Sequence, residues 1–212
     1  MAVLDTLVAW LGRLFGAGRG GAVSPPGAGG EASATPTVAS VADAPPEQPA
    51  AAGPRSINAA GLALVKASEG LRLTAYQDGG GVWTIGYGHT GVYPGSWVRQ
   101  HGLYAVHPSD EITAAMADEL LLFDLTGAEY AVVAAQQGLP PLASGQFDAL
   151  CDFCFNLGAG ALHQLLAHGL DAVPDQLLRW DHGKVGGQEV ELAALKLRRE
   201  RERQLWETGS WA

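Results

Sequence analysis

Cysteine is nearly absent: the chain has two, Cys151 and Cys154, and its six histidines are scattered. So few thiols and no clustered imidazoles leave no zinc-type ligand set. Read as Cys-x-x-Cys, the pair would need a strand-to-helix setting for redox chemistry. Its surroundings, Ala-Leu-Cys-Asp-Phe-Cys-Phe-Asn, read instead as helix interior, where positions three apart share a face. Two reduced core thiols is the reading that follows. Basic charge is also short, with 13 Lys+Arg against 22 Asp+Glu and a net charge of -9. That balance argues against a nucleic-acid binder. It argues equally against tight electrostatic attachment to anionic walls or membranes. A membrane-spanning run is missing from the N-terminus too. Residues 1–16 fall short of the ~20 apolar residues a bilayer needs, carry Asp5 and Arg13, and lack the basic start of a secretory signal.

What the chain does have is enough apolar material, 47% of 212 residues, for one core plus an appendage. In residues 1–16, Leu4, Leu7, Val8, Leu11, Leu14 and Phe15 recur at helical spacing, which predicts an amphipathic accessory helix. A signal-anchor is the competing reading. Residues 17–55 are Gly, Ala, Pro, Ser and Val with little charge and read as a flexible linker. The globular domain then covers 56–212. Its charge is uneven. His107 to Asp181 holds eleven acidic side chains and one basic, while Lys196 to Arg203 holds five basic and two acidic.

The chemistry-bearing stretch runs from Glu69 to Thr90. Ser56 or Asn58 can cap a helix that ends at Glu69 with Gly70 as its stop. Asp78 follows nine residues on and Thr84 six after that, with Gly79 to Gly81 between them. Two short β-prone runs about such a turn read as a hairpin. Glycoside hydrolysis usually needs two carboxyl groups flanking the scissile bond. Glu69 suits the proton donor: the negative end of its helix dipole disfavours a charged carboxylate, and partial burial acts the same way. Asp78, beside glycines, suits the ionised partner, and Thr84 offers a hydroxyl to hold water. The plain alternative is an ordinary helix and hairpin with both carboxylates solvated.

The full string, Glu, eight residues, Asp, five residues, Thr-Ile-Gly-Tyr-Gly-His, closely resembles the Glu–Asp–Thr signature of phage-type lysozymes, the endolysins of glycoside hydrolase family 24. The resemblance covers about residues 56–211 and implies a mainly helical α+β fold: a small hairpin lobe, a long connecting helix and a helical lobe, with a substrate cleft between the lobes. It implies hydrolysis of the β-1,4 bond between N-acetylmuramic acid and N-acetylglucosamine in bacterial peptidoglycan, with Glu69, Asp78 and Thr84 catalytic, inversion at the anomeric carbon, and no metal or cofactor. Ile112 to Gln137, capped by Asp110 or Ser109, resembles the connecting helix, and the resemblance pairs its Asp124 with His89. Ser144 to Leu157, ended by Gly158 and Gly160, places Phe155 and Asn156 beside the cleft, where Asn156 resembles a sugar-contacting amide; it also reads as a helix C-cap. Leu162 to Trp180 gives one or two short helices broken at Gly169 and Pro174. In the basic helix Leu192 to Trp206, Arg198 resembles the arginine packed against the catalytic Glu, and the other arginines read as surface charges. His101 and His107 read as surface residues.

By the same resemblance the expected life of the protein is that of a monomer held in the host cytoplasm before lysis and acting in the periplasm on the wall. A pore-forming holin is the expected export partner, with weak membrane contact through residues 2–16 and no nucleic-acid partner. Two other classes compete: a lytic transglycosylase using Glu69, and a non-catalytic wall-binding or virion-structural protein on the same scaffold.

Overall fold

The computed structural model describes residues 55–102, 104–185 and 188–211. The accessory helix and linker expected over residues 1–54 lie outside them. Arg55, assigned to the linker by composition, is tied down: its guanidinium donates to the carbonyls of Leu142 and Ala143 at 3.0 and 2.9 Å and lies over the Phe147 ring.

Helix α1, Ala59–Glu69, starts where the Asn58 side chain accepts from the N–H groups of Ala60 and Gly61. It stops because Gly70 takes a φ of 71°, a left-handed conformation that a β-carbon disfavours, and returns its N–H to Lys66. The chain turns straight into β1, Arg72–Gln77, which pairs antiparallel with β2, Trp83–Gly86. A two-residue third strand, β3, His89–Thr90, completes the sheet in the order β1-β2-β3. The Gly- and Pro-punctuated segment after it forms a short helix, α2, Gly95–His101.

The connecting helix α3 spans Ala114–Ala135, two residues shorter at each end than the periodicity predicts. Its cap is Thr113, whose hydroxyl accepts from the Met116 N–H, not Asp110 or Ser109. Asp110 instead closes the preceding turn by accepting the His107 N–H at 2.9 Å, and Ser109 lies at a φ of 68°. Glu111 and Ile112 are used by the sheet: Glu111 bridges Thr74, and the Ile112 N–H donates to the Leu73 carbonyl. Helix α3 feeds two cores. Ala117 and Leu120 pack with Ile85, Tyr93, Trp97, Val106 and Ile112 under the sheet. Leu121, Leu125, Ala128 and Val132 pack into the larger helical core with Leu64, Val65, Phe147, Leu150 and Leu162.

Helix α4, Ser144–Leu166, runs through the expected stop. Gly158 breaks its helical geometry at a φ of 83°, but Gly160 sits inside the renewed helix. After Gly169 comes a 3-10 turn, Leu170–Ala172, and then α5, Val173–Leu177. Pro174 begins this helix rather than breaking it, because in a first turn its missing N–H has no intrahelical partner to lose. A second antiparallel hairpin follows, β4, His182–Val185, with β5, Gln188–Glu191. It has no counterpart in the sequence-based expectation, since Lys-Val-Gly-Gly-Gln-Glu-Val-Glu shows little apolar alternation. Helix α6, Ala193–Thr208, ends on Gly209 at a φ of 76°.

Two local features check this packing. Cys151 and Cys154 are both free and buried in α4. Burial pushes both thiols up, Cys154 to about 11. Neither should react with a disulfide reagent at pH 8 in the native protein, and both should react after unfolding in guanidinium; fast native labelling would contradict their placement. Gly145 lies where the start of α4 comes tightly against the end of α6. A β-carbon there would stand 2.4 Å from the Leu205 carbonyl oxygen and 2.7 Å from Gly209 Cα. Both are backbone atoms, so Gly145→Ala should destabilise by about 2–3 kcal/mol, read as a lowered urea midpoint.

Candidate active site

The hairpin half of the site is built around Val82. Asp78 opens the turn after β1: its Oδ1 accepts from the N–H groups of Gly80 and Val82 at 2.8 and 2.9 Å, and its own N–H donates to the Val82 carbonyl at 3.0 Å. The Thr84 hydroxyl donates to that same carbonyl at 3.0 Å. One residue thus ties Asp78 and Thr84 together, and leaves Asp78 Oδ2 without a partner among the described residues. Asp78 is half-buried, whereas Thr84 is only 2% exposed.

The helical half is built around Arg198. Glu69, the last residue of α1, has a side chain only 5% exposed, and its Oε1 accepts from Arg198 Nη1 at 2.8 Å. The rest of the guanidinium belongs to Asp152 of α4. Nε donates to Oδ2 and Nη2 to Oδ1, each at 2.9 Å, and Nη2 also reaches the Asp152 carbonyl at 3.3 Å. Burial works against the charge on Arg198, but Asp152 and Glu69 outweigh it and hold the guanidinium protonated more firmly than usual. Burial likewise raises Asp152, yet the Arg198 guanidinium, by its charge and its hydrogen bonds, brings it below the ordinary carboxylate range.

Arg199 and Glu202 correct the reading of the α6 arginines as surface charges. Both are wholly buried, with Arg199 Nη2 2.7 Å from Glu202 Oε1. That contact is not aligned as a hydrogen bond, and both Glu202 oxygens lack hydrogen-bond partners among the described residues. Burial pushes Glu202 well above the carboxylate range, with Arg199 offsetting part of the rise. Arg199 Nη2 donates to Asn156 Oδ1 at 2.9 Å, and its guanidinium lies over the Phe153 ring. Asn156 is 3% exposed, so its carboxamide oxygen is spent inside the protein rather than offered to a ligand. Phe155, the neighbouring candidate, is partly buried against the helical core. The helical spacing of α6 carried a signal for the buried pair. Leu195, Arg199, Glu202 and Trp206 recur at three and four residues, so the charges lie on the apolar stripe.

His89 and Asp124 sit apart from this cluster. His89 Nδ1 is 2.9 Å from Asp124 Oδ1, joining β3 to α3. His89 also begins a column of rings, stacking on Tyr93, which stacks on Trp97, which meets His101. His101 is therefore half-buried rather than a surface residue, while His107 is exposed. A separate cavity of about 420 Å³ opens between α4 and the β4–β5 hairpin, lined by Leu157, Gln164, Arg179, Trp180, His182 and Glu189. It contains none of the candidates read from the sequence. Among the described residues no group of three or more His, Cys, Asp or Glu is placed to hold a metal.

A sheet lobe carrying one carboxylate, a helical lobe carrying another on a buried arginine, and a long helix shared by both cores define the lysozyme-like class of glycan hydrolases. The comparisons with known proteins agree. The phage lysozyme family model matches residues 66–202. The chain is 34% identical over 159 residues to an endolysin of Acyrthosiphon pisum secondary endosymbiont phage 1, covering 72% of this chain and 99% of that one. It is 36% identical over 151 residues to the endolysin of Salmonella phage P22, covering 68% and 94%. The solved muramidase domain of SpmX from Asticaccaulis excentricus superposes with a TM-score of 0.57 at 34% identity, covering 73% and 99%. The chain belongs to the phage lysozyme family and is a lysozyme-type hydrolase.

The buried pair generates a stability prediction. Arg199→Ala strands Asn156 Oδ1 and empties the space over Phe153, so it should cost about 3–5 kcal/mol in urea unfolding. A cost below about 1 kcal/mol would contradict the buried placement.

Proposed function

We propose that this chain is a muramidase that cleaves the β-1,4 bond between N-acetylmuramic acid and N-acetylglucosamine in peptidoglycan and so lyses the bacterial host. The observation that carries the assignment of roles is the Glu69 carboxyl, nearly buried and gripped by Arg198 through one oxygen only. Its Oε2 is free to carry the proton given to the leaving glycosidic oxygen as the bond to the anomeric carbon breaks. Water attacks from the opposite face of the sugar, oriented by Asp78 Oδ2, which takes the proton the water loses as its oxygen bonds to the anomeric carbon. Thr84 spends its hydrogen on the Val82 carbonyl and so offers this water oxygen lone pairs rather than a proton. Attack opposite the leaving group inverts the anomeric carbon. His89 and Asp124 hold the end of the sheet against α3, and Asn156 supports the site through Arg199. Phe155 is the remaining candidate for contact with the sugar.

The enzyme waits in the host cytoplasm and meets its substrate in the periplasm, with a holin as the partner that opens the way. Residues 2–16 serve as an accessory that touches the membrane weakly. Among the described residues no helix is long and apolar enough to cross a membrane.

Digestion of purified peptidoglycan by the full chain, with the new ends identified by mass spectrometry, tests the reaction class. Reducing muramic ends are expected. Anhydromuramic ends would make the protein a transglycosylase, and binding without products would make it a wall-binding module. In the same assay Glu69→Gln should fold and lose activity by about 10²–10⁴-fold, the usual worth of a general acid. Asp78→Asn should be impaired well beyond the exposed Asp171→Asn, and equal activities would remove Asp78 from the mechanism.

A further inference from the structure

Arg198 is hydrogen-bonded to two carboxylates, and the division between them is unequal. Asp152 takes Nε and Nη2 in a two-point fork at 2.9 Å, and only Nη1 is left for Glu69. Asp152 is 0% exposed, Arg198 3% and the Glu69 side chain 5%, so water does little to screen these charges. A buried guanidinium whose one partner was Glu69 would rotate more freely and would bring its whole charge to bear on that carboxyl. A planar fork onto a second carboxylate removes both problems, since it fixes the plane of the guanidinium and matches its charge.

We infer that Asp152 is a positioning residue for the reaction: by fixing and neutralising Arg198, it lets the arginine aim the Glu69 carboxyl without stripping the proton that Glu69 must donate. The inference rests on the reading of Glu69 as the acid. Helix α1 supplies Glu69, α4 supplies Asp152, and α6 supplies Arg199 and Glu202, whose Oε1 lies 3.8 Å from Arg198 Nε. Three carboxyls therefore face two guanidiniums. The cluster is electrically matched when one carboxyl is protonated. Neutralising Asp152 leaves two carboxyls for two guanidiniums, and the cluster is then matched only when Glu69 and Glu202 are both ionised. Loss of the Asp152 charge thus disfavours the form of Glu69 that donates a proton.

The test compares the full chain with Asp152→Asn and Asp152→Glu on solubilised peptidoglycan strands, following kcat and KM across pH. Asp152→Asn should lower kcat at neutral pH about tenfold and move the alkaline limb of kcat to lower pH by about one unit, with KM within about twofold. Asp152→Glu keeps the charge, so its alkaline limb should stay at the wild-type position. Its kcat should still fall, because a carboxylate one methylene longer cannot keep both 2.9 Å contacts from the same backbone. An unmoved limb in a folded Asp152→Asn would overturn the inference, as would equal losses in kcat and binding. If Asp152→Asn fails to fold, Asp152→Glu decides: a limb in place with reduced kcat supports the inference, and a displaced limb or an unchanged kcat overturns it. Absence of reducing muramic ends from the wild-type chain would instead remove the muramidase reading, which keeps the two failures separate.

Discussion

A single buried guanidinium imposes the strictest constraint on this fold. Arg198 is of use only if α1, α4 and α6 hold Glu69, Asp152 and its own Cα within hydrogen-bond reach, and removing a charge from water is costly unless every partner is in place. Several unrelated features serve that requirement. Gly70 stops α1 just after Glu69. Gly145 lets the start of α4 lie against the Leu205 carbonyl near the end of α6. Arg199, one residue on from Arg198, fills the space beside Phe153 and reaches Asn156 a helical turn beyond Asp152.

The hairpin half is organised differently. Asp78 and Thr84 are set by hydrogen bonds to the main chain of one residue, Val82, whose own side chain is exposed between the turn and β2. Its distance from the helical core is bridged by α3, in which neighbouring Leu120 and Leu121 enter different cores. A carboxyl held by buried charge and a carboxylate held by exposed backbone are suited to opposite tasks. The first keeps its orientation and is shielded from water. The second stays close to solvent, where an attacking water comes from.

Much of this was legible in the chain because local rules agreed with the fold. Asn58 and Gly70 bracket α1 as capping chemistry requires, and the triple glycine marks the β1–β2 turn. The start of α3 reads two residues early because Asp110 and Ser109 are good capping residues by type, but tertiary pairing draws Glu111 and Ile112 into the sheet and passes the cap to Thr113. The β4–β5 hairpin was hidden by its polarity, as its strands are mostly exposed. Arg199 reads as a surface charge because a run of arginines looks solvated by composition, while its spacing with Leu195, Glu202 and Trp206 places it inside. Asp152 carries no signal of its own in the chain: an acidic residue between Cys151 and Phe153 merely interrupts an apolar face, and its partner Arg198, 46 residues on, meets it only in space.

The claim on which the mechanism turns is that Glu69 donates a proton to the leaving oxygen. A muramyl substrate with an activated aryl leaving group, which departs without protonation, isolates that step. The account predicts that Glu69→Gln retains near wild-type turnover of the aryl substrate while losing cleavage of the natural glycosidic bond. Equal loss on both substrates would contradict it and assign Glu69 a role in holding the site rather than in proton transfer.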